Sequence, residues 1–111
     1  MEINEKILRV KNLFMRCLCF HSLQIEMDYT NLFYNANIII ESSEATKYFL
    51  HCYKIEFFFI TEHMLDPALF DNFKFSILNN HAIYQKPLIM LSEPKTRALE
   101  LAFEDMDIYE I

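Results

Sequence analysis

The sequence predicts a mainly β domain that ends in helices, with its strands before residue 60 and its helices after it. Three observations carry this reading. Over residues 23–29 apolar and polar side chains alternate without a break, the period of a half-buried strand. Residues 46–60 are β-rich, with Tyr48, Leu50 and Cys52 on one face and Phe49, His51 and Tyr53 on the other. After Ser92 the spacing changes: Leu99, Ala102, Phe103 and Met106 fall within an arc of about 100° at helical pitch.

In chain order, residues 13–20 form a first strand and 23–29 a second, with a turn at His21-Ser22. Residues 32–40 are a third extended run. Glu41-Ser42-Ser43-Glu44 is a solvated link to the strand at 46–60, whose Phe57-Phe58-Phe59 run implies burial on both faces. Thr61 is placed to cap a helix, which Pro67 divides into two short turns. Phe70, Phe73, Phe75, Ile77 and Leu78 anchor a region of short helix and loop, and Asn79-Asn80-His81 is a turn signal. A short strand follows at 88–91. Ser92, Glu93 and Pro94 then suit the start of a long terminal helix. Leu99, Ala102, Phe103 and Met106 would pack it on the body, leaving Leu101 and Ile108 on its far side, seven residues apart. That is the step of a two-helix contact. The carboxylates of Glu104, Asp105, Asp107 and Glu110 oppose a helix C-terminus, and no stop signal follows, so the helix is expected to continue in related proteins. The 111 residues make one domain, with a β part at 7–60 and a helical part at 61–111 that holds the strand at 88–91.

Composition removes several functions. Glycine is absent, against about eight expected for an average chain of this length. A P-loop, a dinucleotide-binding GxGxxG turn and a GxSxG nucleophile elbow each need a residue without Cβ. The net charge of −6 repels a phosphate backbone, so direct nucleic-acid binding is not expected. No run approaches the ~20 apolar residues of a membrane span, and the opening residues lack the layout of a secretory signal. Three cysteines with no framework spacing favour a reducing, cytoplasmic setting.

Candidate chemistry is sparse. Cys17-Leu18-Cys19 puts two thiols on one face of a strand, about 7 Å apart, with His21 next on that face. Completion by His51 or Cys52 would make a metal site, but structural zinc sites draw on tight turns, and buried apolar cysteines are the plainer reading. His21, His51, His63 and His81 form no His-x-His pair and no HExxH. No catalytic residue, metal ligand or cofactor is assigned.

The order of segments resembles the second, larger part of the N-terminal effector-binding and dimerisation domain of AraC-type transcriptional regulators. The resemblance rests on Asn37-Ile38-Ile39-Ile40-Glu41-Ser42-Ser43-Glu44-Ala45 and on Phe57-Phe58-Phe59-Ile60-Thr61-Glu62-His63-Met64-Leu65. It continues through Asn72-Phe73-Lys74-Phe75 and Lys86-Pro87-Leu88-Ile89-Met90-Leu91-Ser92-Glu93 to the final helix. It implies a partial cupin-like β-barrel followed by short helices and a long C-terminal amphipathic helix. It also implies a non-catalytic regulatory domain that binds a small-molecule effector and forms a homodimer through that helix. The helix-turn-helix module of the family is not in this sequence, which makes the chain either an isolated domain or a shortened relative that does not control promoters directly. Tyr29, Tyr48 and Cys52 are the candidates to line an effector pocket, since tyrosine joins an apolar body to one polar tip. Leu101 and Ile108 are the candidates for the dimer contact. The alternative is a protein–protein interaction or dimerisation module whose barrel is filled by its own side chains. An enzyme of cupin type would need a His-x-His pair that is absent. A packed interior favours association, and an empty, partly polar cavity favours sensing.

Overall fold

The structure is a computed structural model and describes residues 2–79 and 87–111. The expected turn at 79–81 and His81 lie outside the described residues, apart from Asn79. The chain opens with a helix, α1 (Ile3–Phe14). Six strands follow: β1 (Cys17–Asp28), β2 (Phe33–Ser42), β3 (Lys47–Ile60), β4 (Lys74–Leu78), β5 (Leu88–Ser92) and β6 (Leu99–Glu110). Two short 3-10 turns, Glu62–Leu65 and Pro67–Asn72, connect β3 to β4. All pairings are antiparallel, in one sheet of order β1-β2-β3-β6-β5-β4.

This corrects the expected fold class. There is no closed cupin-like barrel and no long C-terminal helix, and the one α-helix among the described residues is N-terminal. In α1, Ile3, Ile7, Val10 and Phe14 repeat at steps of four and three and join one face to the core. The pair of strands expected before residue 29 is one strand. His21-Ser22 is not a turn but the site of a register shift opposite β2, a bulge that bends the strand without ending it. Residues 74–78, expected as helix and loop, form β4. The division at Pro67 is as expected: Asp66 caps the second turn by accepting from the Ala68 N–H at 2.9 Å.

The terminal segment explains how a strand imitates a helix. Leu99, Leu101 and Phe103 are buried on the packed face of the sheet, and so are Met106 and Ile108. The alternation resets between Phe103 and Met106. In β3 it resets in step, between Cys52 and Ile55, where Lys54 takes a φ of 55°. Leu99, Phe103 and Met106 therefore stand four and three apart, the spacing of a helix face. The Ser92-Glu93-Pro94 signal likewise serves a hairpin. Glu93 is shielded from solvent, and its carboxylate accepts from the Lys95 and Thr96 N–H groups at 3.0 and 2.7 Å, the Thr96 hydroxyl and the Ala98 N–H. A side chain that would hold the free N–H groups of a helix start holds those of a tight loop instead.

One face of the sheet carries the core. Ala36, Ile38 and Ile40 of β2, Leu50 and Cys52 of β3, and Leu91 of β5 are fully buried there, under α1 and the 3-10 turns. Phe14, Phe20, Phe70, Phe73 and Phe75 close its end, with Phe14 stacked on Phe70 at 5.2 Å and edge-on to Phe20 and Phe75 at 5.7 and 5.0 Å. Leu101 and Ile108, expected on the exposed side of a helix, belong to this core, at 0% and 6% exposure. The Phe57-Phe58-Phe59 strand is not covered on both faces: Phe58 and Phe59 remain nearly half exposed.

With no glycine available, Leu32, Ala45, Lys54 and Arg97 occupy the left-handed region, at φ of 54–63°. Each such position costs about 1–2 kcal/mol for a residue with a Cβ. Leu32 and Ala45 are exposed, so replacing them removes little packing. Leu32→Gly and Ala45→Gly should each raise stability by about 0.5–1 kcal/mol, or roughly 2–6 °C in Tm by calorimetry, after the entropy cost of glycine. A fall in Tm would contradict the assigned turns. Leu101→Asp or Ile108→Asp places an unpaired carboxylate in the core and should cost more than ~4 kcal/mol, most of a small domain's stability. Circular dichroism should show an unfolded chain, where an exposed helix face would have left it folded. The hydrogen bonds to Glu93, led by that from Thr96, hold its carboxyl below the ordinary 4.5. A depressed folded pKa adds stability that is complete above 4.5 and is lost as pH falls through the lower folded value. Glu93→Gln should therefore be least stable relative to the parent at neutral pH, with the gap in urea midpoint closing in acid.

Candidate functional site

The face of the sheet opposite the core is not covered by α1 or by either 3-10 turn. Its side chains follow from register. Gln24 of β1 stands opposite Asn37 of β2, Asn37 opposite His51 of β3, and His51 opposite Asp107 of β6. One polar row thus crosses four strands. On either side of it Phe49 pairs with Tyr109, and Tyr53 with Asp105.

These residues make a continuous aromatic ladder. Tyr109 stacks on Phe49 at 5.3 Å, Phe49 on His51 at 6.0 Å, and His51 meets Tyr53 edge-on at 4.2 Å. Tyr109 is 54% exposed, and Phe49, His51 and Tyr53 are half-buried. Carboxylates border the ladder. Burial, together with the neighbouring Asp107 carboxylate, raises the Tyr53 pKa. Burial lowers the His51 pKa, against the opposing pull of Glu26 and Asp107, so the imidazole is neutral at pH 7. Lys6 of α1 reaches round to Asp105 at 2.7 Å and to Asp107 at 3.8 Å. The Asn37 side-chain oxygen is buried with no hydrogen-bond partner among the described residues.

The pocket candidates do not converge. Tyr29 lies in the turn after β1 and is 84% exposed. Tyr48 is half-buried near the start of β3, packed against the edge of the core. Cys52 is fully buried in the middle of β3, on the face opposite the ladder. The interior is filled where these residues were expected to open it: Leu50, Phe103 and Met106 are at most 1% exposed. Two open volumes lie at the surface. One is a groove of about 710 Å³ between α1 and the end of β6, and another a cleft of about 430 Å³ beside Phe14.

Among the described residues the three cysteines are not gathered with one another. A register shift separates Cys17 from Cys19, Cys17 is buried and donates to the Leu13 carbonyl at 3.1 Å, and all three thiols are unpaired. Among the described residues no three His, Cys, Asp or Glu side chains are grouped to hold a metal ion. Burial raises the pKa of Cys17 and, far more, of Cys52, so neither is poised as a thiolate. Among the described residues no helix is long and apolar enough to cross a membrane.

The ladder was half legible. Phe49, His51 and Tyr53 share a face by simple alternation, but the apolar residues on both sides suggested a strand covered twice. Asp107 and Tyr109 were hidden in the segment read as a helix. Comparison with protein-family models, with curated proteins and with solved structures finds no match to this chain.

Proposed function

We propose that the protein is a non-catalytic interaction module that binds a basic protein surface through the uncovered face of its sheet. The observation that carries this reading is the four-ring ladder bordered by carboxylates. Exposed tyrosines anchor interfaces at small entropic cost, and an aromatic face beside carboxylates suits arginine, which stacks and pairs at once. The chain makes such contacts within itself. The Arg97 guanidinium lies 5.4 Å from the Phe59 ring centre, and the Lys54 ammonium 5.7 Å from that of Phe33. The net charge of −6 favours encounter with a cationic partner. The filled interior supports association over effector sensing, and the three free thiols fit a reducing compartment such as the cytoplasm.

An arginine-rich peptide titrated into ¹⁵N-labelled protein should shift the amides of Phe49, His51, Tyr53, Asp107 and Tyr109, with binding that weakens as salt rises. Tyr109→Ala combined with Asp107→Lys should weaken it about tenfold or more while the fold persists. Acidification that charges His51 should weaken it as well. Shifts spread evenly over every acidic part of the surface would overturn the proposal.

A further inference from the structure

The cleft beside Phe14 lies away from the ladder, between the end of α1, the second 3-10 turn and the start of β4. Its walls are Phe14, Phe70, Phe73 and Phe75, and its volume of about 430 Å³ falls within the range of small-molecule sites. Phe70, Phe73 and Phe75 are buried even with the cleft empty and form its floor, whereas Phe14 is only half covered and presents most of the exposed ring surface. Met15, at the mouth, is 84% exposed. Apolar surface of this kind costs free energy in water and is relieved by an apolar chain.

The rim is charged. Lys11 and Lys74 border the cleft and are exposed, and Asp71 lies with them. Among the described residues none of the three has an ion-pair partner. Lys11 has a structural duty, because it stands in the last turn of α1 and offsets the negative end of the helix. Lys74 has none: its backbone neighbour across the ladder is Ser92, and its ammonium is left to solvent. Two ammonium groups and one carboxylate leave the rim with a single positive charge. That balance fits a head bearing one negative charge and leaves a doubly charged phosphate one cation short.

We propose that this cleft binds a free, single-chain amphipathic carboxylate, such as a medium-chain fatty acid, with its chain against Phe14 and Met15 and its head between Lys11 and Lys74. This proposal is independent of the ladder and its partner.

Decanoate is the probe, followed by ¹H–¹⁵N spectra and calorimetry on the whole chain, with decanol and decylamine as matched neutral and cationic controls. Decanoate is expected to shift residues of α1, the second 3-10 turn and β4, and to bind about tenfold more tightly than decanol. Lys11→Gln with Lys74→Gln replaces exposed side chains, so the fold should persist while decanoate affinity falls to that of decanol. Equal binding of the three probes, an unchanged affinity in the double variant, or shifts confined to other surfaces would each overturn the proposal. Co-sedimentation with phosphatidylglycerol vesicles without a decanoate response would overturn it in favour of a membrane-facing patch.

Discussion

The structure depends on the contacts of one ring. Phe14, at the end of α1, touches Phe20 of β1, Phe75 of β4 and Phe70 of the intervening turn. β1 and β4 are the first and last strands of the sheet, so both edges meet at the same side chain. An open sheet with a bare apolar face and two unpaired edges would aggregate. Here the helix delivers Ile7 and Val10 to the middle of that face and Phe14 to the point where the edges approach. The sheet is thus bent round the helix without closing, and the opposite face is left as a broad surface of side chains.

That opposite face owes its composition to the irregular step shared by β3 and β6. Before the step, Leu50 and Cys52 point into the core opposite Ile108 and Met106; beyond it, Ile55 does so opposite Phe103. Without the reset at Lys54, the strict period of two would carry Ile55 and Phe103 to the outer face with Tyr53 and Asp105. The change of parity keeps large apolar side chains inside along the whole length of two long strands. It also lets Phe49, His51 and Tyr53 remain a single row in the first half of β3.

The same device limits what the sequence discloses. β2, β3 and β5 were legible because their alternation or apolar run is bounded by polar links, and Pro67 marked its break because its ring restricts Asp66. The register shift at His21-Ser22 looked like a turn because a bulge and a turn draw on similar polar residues. α1 is masked in the sequence because β-rich residues follow directly on the four-and-three spacing of Ile3, Ile7, Val10 and Phe14. β6 was misread because local spacing cannot separate a helix from a strand that resets its alternation. The errors at the sites followed from those at the elements. A helix would put Leu101 and Ile108 outside, whereas the strand buries both, and Cys52 faces the core of an open sheet in place of the interior of a barrel.

A chain without glycine also constrains how it recognises anything. Backbone N–H groups cradle an anion only where the chain comes close to it, and a Cβ at each residue holds it off. The left-handed positions at Leu32, Ala45 and Arg97 are spent on turns and that at Lys54 on the reset, none on a ligand loop. Recognition therefore falls to side chains on regular elements, and the two surfaces built that way share one pattern of rings with charge at the margin. The charges differ in sign. Carboxylates of β6 border the ladder, and lysines of α1 and β4 border the phenylalanine cleft. Lys6 joins the start of α1 to the Asp105 carboxylate at the margin of the ladder. On the two proposed readings, a cationic protein would be drawn to one side and repelled from the other, so the two occupants would not compete.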